Sequence, residues 1–104
     1  MEALVVYVTA PSEEEAVKIG RTLVEERLAG CANIVSGVRS IYRWKGAIED
    51  DQEVLMILKT RRELFEPLKR RVKELHSYTV PEVIGLPLAV GLDDYLEWLE
   101  EVTG

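Results

Sequence analysis

His76 is the only imidazole of the chain and Cys31 its only thiol. Imidazole suits Cu(II) or Zn(II), and thiolate suits Cu(I) or Zn(II). A transition-metal site needs three or four protein donors, so these two would have to recruit a carboxylate such as Glu82, or acidic residues of another subunit. His76, Cys31 and Glu82 are therefore the candidate metal ligands, with copper or another divalent cation as the ion and no cofactor required. Both soft donors have a structural reading as well. His76 falls at a helix end, where an imidazole can close free carbonyls, and Cys31 opens a core strand as a packed thiol.

A second set is Lys59 and Tyr78 with Glu82. These residues would line a cleft between subunits suited to a small anionic ligand. The cluster Glu49-Asp50-Asp51 with Glu53 supplies hard oxygen donors for calcium, magnesium or manganese, or a solvated face that keeps the segment soluble. Arg43 and Lys45 beside Trp44 resemble a stacking and phosphate-contact patch, but the net charge of −6 opposes an electrostatic grip on nucleic acid or anionic lipid. Tyr42 and Trp44 are read instead as interface anchors. No Gly-rich phosphate loop and no Ser/His/Asp or Cys/His pair within sequence reach offers a nucleophile, so the chain is read as a non-enzyme.

The elements that must position these groups follow from periodicity. Leu4-Val5-Val6-Tyr7-Val8 is a strand buried on both faces. Ser12 and Glu15 form a capping box for a helix carrying Ala16, Ile19, Leu23, Val24 and Leu28, with Gly30 as its left-handed stop. Thr60 and Glu63 offer a second box before Leu64, Leu68, Val72 and Leu75, where Pro67 blurs the start. Residues 76–82 form a linker. Val83 to Val90 is a strand that Pro87 confines to an edge or a bulge, and Asp93 caps a last helix with Tyr95, Leu96, Leu99 and Val102. The order β-α-β-β-α-β with an added helix is an α+β, ferredoxin-like arrangement, in one domain over residues 1–104.

Between Cys31 and Thr60 lie two long strands folded about Lys45-Gly46, with Ser36-Gly37 as a bulge. Each arm of roughly 13 residues reaches about 40 Å, longer than the about 30 to 35 Å width of a domain this size. Ile34, Val38, Tyr42 and Trp44 are placed on one face, Val35 and Ile41 on the other, and residues 54–58 are apolar on both. A hairpin of this kind overhangs its own domain and would be adhesive alone. It is expected to lie across a neighbour in a homo-oligomer.

Thr9-Ala10-Pro11, residues 26–33 (Glu-Arg-Leu-Ala-Gly-Cys-Ala-Asn), Tyr42 to Gly46, Leu58-Lys59-Thr60, residues 75–82 and residues 94–99 together resemble the CutA divalent-cation tolerance proteins across nearly the whole chain. The resemblance implies a homotrimer of ferredoxin-like subunits, similar in shape to the PII signalling proteins, in the cytoplasm and associated with copper tolerance and copper binding. It implies no defined reaction. Copper-binding members carry a cysteine before Thr-Ala-Pro and two adjacent histidines at the end of the second helix; here Val8 and Leu75-His76 stand at those positions, followed by Ser77 in place of the usual proline. A PII-like sensor or scaffold with an unidentified protein partner is the competing expectation. An acylphosphatase-like enzyme on the same fold would need an arginine-bearing anion loop.

Composition sets the remaining expectations. A lone cysteine suits a reducing cytoplasm, and no apolar run approaches the roughly 20 residues of a membrane span. One Asn, one Gln, one Cys and two Met beside 31% charged residues lean towards a heat-stable protein.

Overall fold

The computed structural model describes residues 1–104. Four strands and three α-helices follow in the order β1 (Ala3–Ala10), α1 (Glu13–Glu25), β2 (Cys31–Trp44), β3 (Ala47–Arg61), α2 (Phe65–Leu75), β4 (Val83–Pro87) and α3 (Asp93–Val102), with a short 3-10 turn at Arg62–Leu64. The strands form one antiparallel sheet ordered β2-β3-β1-β4. Leu4, Val6, Val8 and Ala10 of β1 and Val54, Met56 and Leu58 of β3 are buried against Ala16, Ile19 and Leu23 of α1 and Leu68 and Val72 of α2. Truncating one of these leucines to alanine removes about 2–5 kcal/mol.

Local chemistry explains the boundaries, including those that differ from expectation. Ser12 Oγ accepts the Glu15 amide at 3.2 Å and caps α1, a contact worth about 1 kcal/mol. α1 stops earlier than Gly30: Arg27 takes the left-handed position (φ 61°), and the Leu28 amide donates to the Leu23 carbonyl at 2.9 Å, which closes the helix end as a Schellman motif. Gly30 is needed for another reason. A Cβ there would stand 2.6 Å from Leu99 Cδ1 and 2.9 Å from Val102 Cγ2, so α3 packs directly on this backbone. Thr60 is not a cap. It lies buried inside β3 and donates its hydroxyl to the Leu28 carbonyl at 2.7 Å, so α2 begins after the 3-10 turn with Pro67 as its third residue, where no intrahelical amide is lost. β4 is an edge strand that ends at Pro87 rather than Val90, and α3 has Leu92 at its N-cap with Asp93 already inside the first turn.

The hairpin turns on Lys45-Gly46, at φ 49° and 82°, the two positive values a type I′ turn requires. Pairing of β1 with β3 ends at Ala10 and Val54, so from Glu53 outward β2 and β3 continue as a two-stranded ribbon. The molecule is accordingly 44 × 25 × 22 Å. The bulge lies between Val35 and Val38, with Gly37 at φ 83°. It changes which residues share a face. Val35, opposite Leu55, lies on the same side as Val38, Ser40, Tyr42 and Trp44, whereas Ile34, opposite Met56, shares the helix side with Ile41 and Arg43. The expected grouping of Ile34 with Tyr42 and Trp44 is thus reversed, because one extra residue shifts a period-two pattern by one step.

Candidate functional site

His76 is the residue at which α2 gives way to extended chain (φ −80°, ψ 142°), and it is buried. Its Nδ1 accepts the Tyr78 amide at 3.0 Å, which assigns the proton to Nε2, and Nε2 donates to the Thr9 carbonyl at 2.7 Å. Glu15 Oε2 lies 3.3 Å from Nδ1 and accepts the Ser77 amide and hydroxyl, each at 3.0 Å. The capping box is therefore only half formed: the Glu15 amide serves the cap while its carboxylate holds the linker. The single imidazole ties the end of β1 to residues 76–78.

Tyr78 continues the chain of contacts. Its ring lies 4.7 Å from the His76 ring and its hydroxyl donates to Glu53 Oε2 at 2.7 Å. Burial first, and the Glu53 bond second, push this phenol above its ordinary range. On the ribbon, Tyr42 donates to Asp51 Oδ2 at 2.8 Å, and that bond is the main reason its pKa is pushed up to about 12. The sheet side of the ribbon and the linker enclose a cleft of about 640 Å³, lined among others by Thr9, Tyr42, Trp44, Glu53, Tyr78 and Glu82. That volume falls within the range of small-molecule sites.

Cys31 and Lys59 sit elsewhere. Lys59 Nζ is 3.9 Å from Cys31 Sγ and bonds to Asn33 Oδ1, and burial with the neighbouring Cys31 raises the Tyr95 phenol. Lys59 faces Val5 across the sheet whereas Leu55 faces Thr9, so these positions are four residues, about 13 Å, from the His76 end of β1. Within one chain, then, Tyr78 and Glu82 share a cleft that Lys59 does not line, and Cys31 does not meet His76. No group of three or more His, Cys, Asp or Glu side chains converges, and the lone pair of His76 is already engaged by an amide. The donors of a single chain, as arranged, do not fit a transition-metal site.

Glu53 and Thr9 are cleft residues that motif reading did not bring together with Tyr78. Glu53 carried a usable signal: it is the carboxylate directly before the apolar run 54–58, in phase with the sheet face away from the helices.

A family model described as CutA1 divalent ion tolerance protein matches residues 4–102. A Thermus thermophilus relative named divalent-cation tolerance protein CutA is 57% identical over 100 residues, covering 96% of this chain and 97% of that one. An Arabidopsis thaliana relative named chloroplastic protein CutA is 50% identical over 101 residues, 97% of this chain but only 56% of its own length. The solved Thermus thermophilus divalent cation tolerance protein superimposes with a TM-score of 0.95 at 56% identity, covering 98% of this chain and 99% of the other. No helix is long and apolar enough to cross a membrane.

Proposed function

Since the chain belongs to the CutA1 divalent ion tolerance family, we propose that it serves tolerance to divalent cations, copper among them, as a homotrimer of ferredoxin-like subunits similar in shape to the PII proteins. The strand order β2-β3-β1-β4, with α1 and α2 packed on one side, supports the ferredoxin-like reading. One observation carries the assembly. Val5, Tyr7, Leu55, Ile57, Ile84 and Leu86 lie side by side on the sheet face away from the helices, all at least partly exposed, while Tyr42 and Trp44 project on the ribbon beyond the body. A cyclic arrangement of three chains covers both surfaces at once.

The same arrangement supplies what one chain lacks. A cyclic interface joins non-equivalent parts of two neighbours, so Cys31 of one subunit can meet carboxylates of the next, such as Glu82. In this reading the metal is cargo held by shared donors, and the protein acts by binding rather than by catalysis. We place it in the cytoplasm on the strength of its lone thiol, while the name of the Arabidopsis relative assigns that protein to the chloroplast. The cleft favours a second reading, a PII-like small-ligand sensor or scaffold that meets a further protein.

Light scattering and copper titration test the proposal together. The expected result is a trimer whose copper heat disappears in a variant dissociated by Trp44→Asp. A well-folded wild-type monomer at 11.8 kDa, or a dissociated variant that binds copper as the wild type does, overturns it.

A further inference from the structure

Glu53 is 7% exposed, yet it makes no ion pair. Its only side-chain hydrogen bond is the one that Tyr78 donates to Oε2. No fully enclosed side-chain oxygen in the chain lacks a partner, so Oε1 has access to the cleft that Glu53 lines. A carboxylate this deeply placed, served by one neutral hydroxyl, is short of a counter-charge.

The rest of the lining matches that need. The cleft holds Tyr42, Trp44 and Tyr78 together with a second carboxylate, Glu82, and includes no lysine, arginine or histidine. Two of the rings are fixed: Tyr42 by its bond to Asp51 and Tyr78 by its bond to Glu53. Aromatic faces attract cations within about 6 Å, most strongly when water is excluded. Trp44 already shows this preference, with Lys45 Nζ 5.8 Å from its ring centroid. A small anion would meet two carboxylates here, and the Lys45 ammonium is already held over Trp44.

From these residues we infer that the cleft binds a small organic cation, an alkylammonium or guanidinium compound, with its charged head at Glu53 and its carbon skeleton against Trp44 and Tyr78. Glu82, at the exposed rim, adds attraction during entry. The rings distinguish such a ligand from a bare metal ion, which would gain nothing from apolar carbon and would find only two carboxylates. The inference concerns groups of a single chain and does not rest on the metal reading above; it requires that the neighbour met by Tyr42 and Trp44 in the proposed trimer leave the cleft beside Glu53 open.

The test uses the assembled wild-type protein and follows the Trp44 indole N–H and the Tyr78 amide by NMR during titration with butylammonium chloride, sodium butyrate, magnesium chloride or copper chloride at constant ionic strength. Butylammonium is expected to shift both signals saturably, and butyrate to leave them in place. Glu53→Gln should weaken butylammonium binding tenfold or more, and Glu82→Gln by a smaller factor, whereas Glu97→Gln on α3 leaves it unchanged. If Glu53→Gln does not fold, Trp44→Leu serves instead, its mass checked by light scattering, and the same weakening is required. Equal response to butyrate, response to metals alone, or a cleft so filled by a second copy that wild type binds nothing overturns the inference.

Discussion

The Tyr78 hydroxyl donates to Glu53 at 2.7 Å, and this bond fastens the linker after α2 to the residue at which the hairpin leaves the sheet. A carboxylate that accepts from a phenol stabilises its protonated form. Tyr42, Tyr78 and Tyr95 all have pKa values raised above the ordinary one, with the Asp51 bond foremost for Tyr42 and burial foremost for the other two.

Their contribution to stability has a defined sign. A group whose folded-state pKa exceeds the unfolded value of about 10 for tyrosine favours folding fully below that pH, and the contribution is lost as pH rises through the folded value. Absorbance at 295 nm should therefore show three of the four tyrosines ionising late, and stability should fall above about pH 10. Tyr42→Phe should remove one late phenol. Four phenols titrating together at the ordinary value would refute the described bonds.

His76→Ala should act on structure before it acts on metal. It removes acceptors and donors that serve the Tyr78 amide and the Thr9 carbonyl, a loss of about 1–3 kcal/mol with the remaining groups unsatisfied. Copper affinity should change by less than the about tenfold or greater loss that follows removal of a genuine coordination partner. A melting curve and a copper titration of the same variant check both. Collapse of copper binding in a variant with an unaltered melting point would restore His76 as a ligand.

Trp44→Asp places a charge where the ribbon is proposed to meet its neighbour. Light scattering should show mass moving from trimer to monomer or aggregate, and the unfolding midpoint should drop from a wild-type value above about 90 °C, the hyperstable range. A variant that keeps both mass and midpoint would remove Trp44 from the interface.

Gly30→Ala should lower stability by about 1–3 kcal/mol, the usual effect of adding a methyl to a filled space, because its Cβ would stand 2.6 Å from Leu99. Denaturant unfolding measures this. No change would mean that α3 shifts away freely.

What could be read from the sequence was what local spacing determines. The Ser12 cap, the Lys45-Gly46 turn and the Ser36-Gly37 bulge each announce themselves within a few residues, and the apolar run of β1 needs no partner to be recognised. Thr60 misled because its hydroxyl found the Leu28 carbonyl, 32 residues away in sequence, a competitor that no local rule contains. Lys59 and Tyr78 were grouped for their chemistry, and the antiparallel register then set them at different ends of the sheet. Glu53, Thr9 and Tyr78 come from three elements, so their convergence depends on pairing between strands far apart in the chain.

The bulge at Ser36-Gly37 works as a phase inverter in the hairpin. Inside it, odd-numbered residues of β2 face away from the helices; outside it, even-numbered ones do. Straightening the strand there, so that Ser36 and Gly37 each took a partner on β3, would leave the composition untouched, yet it would slip the outer pairing by one residue and roll that part of β2 over. Ile41 and Arg43 would then stand where Tyr42 and Trp44 now stand, the cleft would exchange two aromatic walls for an aliphatic side chain and a cation, and any neighbour would meet the wrong side of the same strand. One glycine at φ 83° therefore decides which of two surfaces this ribbon presents.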